Sequence, residues 1–257
     1  MEVSGALSMS DFKDLFSRQA GDYARFRPVY PAALYDWLAS QVSGRSLAVD
    51  LGCGNGQASV ALAQRFDQVL GVDPSQAQLD RAAEGKNIRY ICAQAEASTL
   101  PGGEAALVTV AQAFHWFKRP AVFGEMRRLL KPGGVVAVWC YATNKISPEV
   151  DAAVHRLYFD HLDSYWEPER RLVESGYSDI EFPADWRKLP VPAFFMQSAW
   201  TLEQLVGYLS TWSPLKRFKD ERGFDALQDV LPELEKAWGA KPLRTVDWPI
   251  SVRAFRV

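Results

Sequence analysis

Seven consecutive residues, Asp50-Leu51-Gly52-Cys53-Gly54-Asn55-Gly56, place a carboxylate ahead of three glycines at alternate positions. Glycine lets a backbone turn sharply and approach a ligand that a side chain would hold away. A glycine pattern alone is common to many nucleotide sites. Asp50 is the more discriminating residue, because a carboxylate there repels a phosphate and attracts a cationic amine. No Lys-Ser or Lys-Thr pair follows the glycines, which excludes a P-loop. Asp73 stands about 20 residues further on, where an acidic side chain accepts hydrogen bonds from ribose hydroxyls. In Ala93-Gln94-Ala95-Glu96, either Gln94 or Glu96 offers an acceptor for an adenine amine, and the Ala95 amide offers a donor. His115, in Ala113-Phe114-His115-Trp116-Phe117, has an ordinary pKa near neutrality and suits a general base, or equally a structural histidine behind a pocket.

The elements that hold these residues alternate short apolar runs with amphipathic stretches from about 46 to 140. The pattern predicts strands at 46–49, 68–72, 88–92, 105–110 and 135–139, with helices at 57–65 and 120–130 and one opened by Ser75. Lys131-Pro132-Gly133-Gly134 is expected to end the second of those helices. Strands apolar at nearly every residue, alternating with helices, imply an α/β fold with a parallel sheet covered on both faces. Ligands of such sheets bind at the carboxyl ends of the strands, which is where Asp50, Asp73, Gln94 and His115 fall. Residues 10–41 read as two helices broken at Arg27-Pro28-Val29-Tyr30-Pro31. Residues 141–212 are rich in aromatic side chains, Tyr158, Trp166, Trp200 and Trp212 among them. Helical patches run about 149–162, 167–176, 202–211 and 225–238, and 244–257 alternates like one or two late strands.

The 257 residues carry a formal net charge of −2, which offers no general attraction to nucleic acid or anionic membrane. The densest basic run, Lys216-Arg217-Phe218-Lys219, continues into Asp220 and Glu221 and reads as a solvated helix surface. Cys53, Cys92 and Cys140 are widely spaced and odd in number, which fits a reducing compartment; no Cys or His cluster suggests zinc. Met1 to Leu15 contains acidic residues and lacks the pattern of a secretion signal, and the run at 135–139 is too short to span a bilayer. A cytoplasmic protein with a small-molecule substrate is expected, and its oligomeric state is open.

A dinucleotide loop usually keeps the strand end apolar, since a carboxylate there repels pyrophosphate. S-adenosylmethionine carries an ammonium, a sulfonium and a ribose but no phosphate, so it is the expected ligand of Asp50, Gly52, Cys53, Gly54, Gly56, Asp73, Pro74, Gln94, Ala95, Glu96 and Gln112. The segments Val49-Asp-Leu-Gly-Cys-Gly-Asn-Gly56, Asp73 and Leu130-Lys-Pro-Gly-Gly134 resemble the class I S-adenosylmethionine-dependent methyltransferases. Tyr23-Ala-Arg-Phe-Arg27-Pro28-Val-Tyr30-Pro31 and Ala113–Phe117 are similar to the type-11 group that includes trans-aconitate methyltransferase-like enzymes. The segments Tyr165-Trp166, Arg170-Arg171 and Thr211-Trp212-Ser213 share that similarity.

The resemblance implies a Rossmann-like, seven-stranded, mostly parallel doubly wound sheet whose last strand is antiparallel. It also implies N-terminal lid helices over the cofactor and a helical insertion after the fifth strand. It further implies that Tyr23 and Arg27 reach the methionine carboxylate. The family often has an aspartate where this chain has Gln94. One methyltransferase domain is expected over 1–257, with lid helices at 10–41 and a cofactor-binding core at 46–140. An aromatic-rich insertion with a late strand at 141–240 would lie on the substrate side, ahead of a C-terminal strand at 241–257. If the acceptor is a carboxylic acid, it is already ionised and needs no base. Arginines that orient it then matter more, with Arg170, Arg171 and Arg187 as candidates; for a hydroxyl acceptor, His115 is the expected base. An NAD-dependent oxidoreductase and a non-catalytic S-adenosylmethionine-binding protein are the competing readings.

Overall fold

In a computed structural model that describes residues 28–257, the apolar runs of the first half become parallel strands because both of their faces are covered. Strand β1 (Leu47–Leu51) is buried at all five positions, β2 (Gln68–Asp73) is exposed only at Gln68, and β4 (Ala105–Ala111) is buried up to its last residue. Strand β3 (Ile88–Cys92) forms the edge beyond β2 and is correspondingly less buried. Strand β5 (Leu130–Tyr141) pairs with β4, and β8 (Arg244–Arg256) runs antiparallel to β5 from Val135↔Arg256 to Tyr141↔Ile250. The far edge of β8 is shared by β6 (Arg187–Lys188) and β7 (Phe194–Trp200). The order is therefore β3-β2-β1-β4-β5-β8-β6, with β7 also on β8, and the strands occupy seven positions across the sheet. Only β8 opposes the others, as the seven-stranded expectation required. Ala105 pairs with Leu130 but Leu107 pairs with Val135, so Lys131–Gly134 loops out between the paired residues.

Alternation along β5 divides the core. Val136, Val138 and Cys140 face α4 (Arg119–Leu129) through Val122, Met126 and Leu129, together with Val173 of α6 (Arg170–Glu174). Val135, Ala137, Trp139 and Tyr141 face α1 (Ala32–Ser40) and α2 (Gln57–Ala63), through Leu34, Leu38 and Leu62. Each fully buried aliphatic side chain of this kind contributes about 1.5–3 kcal/mol. The expected helices of the second half appear as α5 (Pro148–His155), α6, α7 (Leu202–Ser210) and α9 (Ala226–Trp238). A capping box of Thr201 and Gln204 starts α7, and the Asp225 carboxylate caps α9 by accepting from the Leu227 N–H.

Two features differ from expectation. The helix read over 149–162 widens after His155 into a π turn, Arg156–His161, that carries Tyr158 into the second half of the molecule. Phe194–Trp200 is a strand, with Phe194, Met196 and Trp200 buried while Phe195, Gln197 and Ala199 are exposed. The basic run lies on α8 (Ser213–Arg222), where Lys216, Arg217 and Lys219 are exposed and Phe218 is buried. Among the described residues no helix is long and apolar enough to cross a membrane.

Candidate functional site

The glycine loop follows β1 directly. The N–H groups of Gly52 and Cys53 both donate to the Val72 carbonyl, at 2.7 and 3.0 Å, so the loop is tied to the neighbouring strand. Its three glycines have positive φ, but they serve different ends. A Cβ on Gly52 would stand 2.7 Å from the Ala113 methyl and 3.0 Å from the Phe117 ring, so this position is closed by protein. A Cβ on Gly56, at the start of α2, would collide with the Tyr90 phenol. Gly54 alone opens onto free space, with nothing within 4 Å of the same position. Two of the glycines thus make room for protein at their Cα, and Gly54 faces open space.

Asp50 is fully buried. One carboxylate oxygen accepts from the Ser59 hydroxyl of α2 at 2.7 Å, the other from the Thr109 hydroxyl of β4 at 2.9 Å. Burial raises its pKa to about 6, against the two hydroxyl donors that lower it, with a smaller push from Asp73. Both oxygens are thus engaged by protein hydroxyls, and Asp50 locks β1 and β4 to α2 and acts on the loop through its field. Burial, then Asp50 and Asp73, push the Cys53 thiol up, so Cys53 is a packed neutral group.

Asp73 bridges the loop and the next turn. Its Oδ2 accepts from the Gly54 N–H at 2.9 Å and its Oδ1 from the Ser75 N–H at 2.9 Å. Ser75 caps α3 (Gln76–Leu79), and the Pro74 carbonyl accepts from the Cys92 thiol at 3.5 Å. The carboxylate at the end of β2 thus sits beside the one open glycine. After β3, Glu96 Oε1 accepts from the Lys118 N–H at 2.7 Å and so caps α4, while Ala95 is buried. The half-buried Gln94 side chain makes no hydrogen bond among the described residues, which leaves its amide available at the strand end.

Gln112 turns its side chain onto β5. Its Oε1 accepts from the Tyr141 N–H at 2.8 Å and its Nε2 donates to the Tyr141 carbonyl at 3.0 Å. The side chain therefore completes the backbone pairing at the end of β5, and only the Gln112 main chain, at φ 54°, is left to face a ligand. A non-glycine residue in that region is strained, and such strain clusters at functional sites.

His115 lies on a single 3-10 turn, Phe114–Trp116, and is 6% exposed. Its Nδ1 is 3.1 Å from the hydroxyl of Tyr177, a buried residue also at positive φ, and its ring is 4.7 Å from that of Trp116. Burial lowers its pKa to about 3, with the Arg170 charge as a second cause. Burial thus favours the neutral imidazole. Tyr23 and Arg27 lie outside the described residues. The segment that follows them reaches the site, since Gln57 Nε2 at the start of α2 donates to the Pro28 carbonyl at 3.1 Å. Tyr30 packs edge-on against Trp139 and Tyr141, with centroids 5.7 and 6.2 Å away.

Sequence reasoning missed Ser59, Thr109, Tyr90 and Tyr177. A hydroxyl inside the apolar run of β4 was the available signal for Thr109, because a lone polar side chain in a buried strand requires a partner. Nothing local marks Tyr177, which meets His115 from 62 residues away.

The chain is similar to known proteins along most of its length. A family model described as a methyltransferase domain matches residues 49–138, from the strand before the glycine loop to β5. A Dictyostelium discoideum protein that carries the name of a methyltransferase is 35% identical over 249 residues, 93% of each chain. A Saccharomyces cerevisiae protein named for S-adenosylmethionine-dependent methyl transfer is 28% identical over 233 residues, 76% of this chain and 79% of that one. The solved structure of a protein from Anaeromyxobacter dehalogenans, named as a type II methyltransferase, superposes with a TM-score of 0.84 at 40% identity. That match covers 90% of this chain and 98% of the other. The chain belongs to the class I S-adenosylmethionine-dependent methyltransferases.

Proposed function

We propose that this protein transfers the methyl group of S-adenosylmethionine to the carboxylate of a small acid, as the similarity to trans-aconitate methyltransferase-like enzymes implies. The state of His115 carries the acceptor class. Methyl transfer is an in-line displacement at a carbon already activated by the sulfonium, so the protein needs mainly to align the groups and exclude water. A hydroxyl acceptor also needs a base matched to neutral pH, and a buried imidazole with a pKa lowered to about 3 is not one. A carboxylate is ionised already and needs none.

The donor would lie against Gly54, its ribose hydroxyls on Asp73 and its adenine amine on the Gln94 carbonyl. Arg27, with Tyr23, is assigned to the methionine carboxylate, because a guanidinium matches a carboxylate at two points. Residues 46–140 then form the donor half and 141–240 the acceptor half of one domain. The cysteines among the described residues are all unpaired, which supports a reducing, cytoplasmic setting. Calorimetric titration with S-adenosylmethionine, S-adenosylhomocysteine and NAD tests the donor. Tight binding of the first two with no response to NAD is expected; the reverse pattern would return the oxidoreductase reading. Turnover of labelled methyl against small acids, phenols and amines tests the acceptor, and donor binding without turnover on any of them would favour a non-catalytic binding protein.

A further inference from the structure

The arginines on the acceptor side divide sharply. Arg171 is committed to ion pairs with Asp163 at 2.7 Å and Glu174 at 2.9 Å, and Arg187 is exposed on the far edge of the sheet. Arg170, at the start of α6, is half-buried and makes no ion pair among the described residues, the adjacent Glu169 included. Its Nε donates to the Tyr158 hydroxyl at 2.8 Å, and that hydroxyl donates to Glu174 Oε1 at 2.7 Å. Its guanidinium lies over Trp166 at 5.0 Å and over Tyr158 at 5.7 Å. These two rings stack on each other at 4.7 Å, and Trp212 stands edge-on to Tyr158 at 5.5 Å.

Among the described residues, four of the five guanidinium N–H donors have no protein acceptor. The Trp166 Nε1 is also buried with no partner among the described residues. The location is the ligand edge of the sheet: α6 packs on the end of β5, with the Cys140 thiol 3.8 Å from the Val173 carbonyl, and Tyr177 just beyond α6 meets His115 at 3.1 Å. The π turn that carries Tyr158 is a rare conformation, found often at functional sites. A half-buried cation over two aromatic rings, with most of its donors unused among the described residues, suits a planar anion.

We infer that Arg170, seated on Trp166 and Tyr158, is the residue that binds and orients the carboxylate of the methyl acceptor and so sets the enzyme's preference for acids. This inference rests on the acid-methylating reading above. Its test uses the full-length protein saturated with S-adenosylhomocysteine. Butyrate, hexanoate, octanoate and phenylacetate are titrated against their primary amides as uncharged matches, followed by tryptophan fluorescence.

The carboxylates are expected to bind at least about 10-fold tighter than the amides. Arg170→Gln is expected to weaken carboxylates by about 10- to 100-fold, leave the amides unchanged and leave S-adenosylhomocysteine affinity unchanged. In turnover the loss falls on kcat/KM for acids, through weaker binding and through lost alignment of the acceptor oxygen with the methyl group. Arg170→Lys, which keeps the charge but not the fork, restores part of the preference; it also serves as the readout if the Gln variant does not fold. Retention of the acid preference in Arg170→Gln, or equal losses for acids and amides in either variant, overturns the proposal. Failure of every carboxylate to bind a protein that does bind S-adenosylhomocysteine also overturns it and leaves the methyl-donor site standing. Failure to bind S-adenosylhomocysteine overturns the donor reading as well.

Discussion

His115 and Asp50 are both buried titratable groups at the ends of central strands, and burial moves them in opposite directions. His115 is held neutral, with its pKa lowered to about 3. His115→Gln is therefore expected to keep kcat within about 3-fold, whereas loss of a true general base costs about 100-fold or more. Steady-state turnover on an accepted acid decides between these outcomes, and the pH profile of the wild type should be flat from about pH 6 to 9. For Asp50 the folded pKa is raised from 3.8 to about 6. Between those values the folded protein holds a proton that the unfolded chain has released. The contribution of this group to stability is thus greatest below about pH 4 and is lost as pH rises through about 6. Asp50→Asn is expected to be as stable as the wild type or more so at pH 8, by up to about 3 kcal/mol, with the difference shrinking toward pH 4. Denaturant unfolding at the two pH values measures it, and a variant markedly weaker at pH 8 would show that the charge itself is needed by the fold. Asp50 was legible in the sequence as the discriminating residue of its loop. Its role was not, because its partners Ser59 and Thr109 come from elements 9 and 59 residues away.

At the scale of the element, the glycine loop is divided between packing and ligand access, and the two can be separated by mutation. Gly54→Ala places a methyl group in open space at positive φ and costs about 1–2 kcal/mol of backbone strain. It should fold and lose S-adenosylhomocysteine binding. Gly56→Ala adds a collision with the Tyr90 phenol and should lower thermal stability further, by about 1–3 kcal/mol more. Equal loss of binding with no difference in stability would contradict this division. The presence and order of β1 to β5 were readable from their apolar runs, but β5 begins at Leu130 and ends at Tyr141, beyond the expected 135–139, because its pairing with β4 and β8 extends it. β7 was not readable: Phe194–Trp200 alternates, but it lies within an aromatic stretch where buried rings read equally well as helix core. The π turn was equally hidden, since the register of a helix is set by what packs on it, here Tyr158 against Trp166 and Trp212.

At the scale of the whole molecule, one sheet joins a half whose proposed donor residues are close in sequence to a half whose proposed acceptor residues are not. The proposed donor residues could be placed in advance because Asp50 to Gly56, Asp73 and Gln94 all follow consecutive strands of a parallel sheet. The acceptor side brings Tyr158, Trp166, Arg170 and Tyr177 to the His115 turn through tertiary packing alone, and no spacing rule announces it. Saturation with S-adenosylhomocysteine at about 100 times its Kd should stabilise the protein by about 2.7 kcal/mol. For a domain of this size that raises Tm by about 5–10 °C, and NAD should leave Tm unchanged. The most direct measurement of the central claim is the chemical lability of the product. The protein is incubated with methyl-labelled S-adenosylmethionine and a mixture of small carboxylic acids, phenols and amines, and the product is treated with mild alkali. Methyl transfer to a carboxylate yields an ester, so the label should be released as methanol. Label that resists alkali, as in an aryl ether or an N-methyl group, would contradict it.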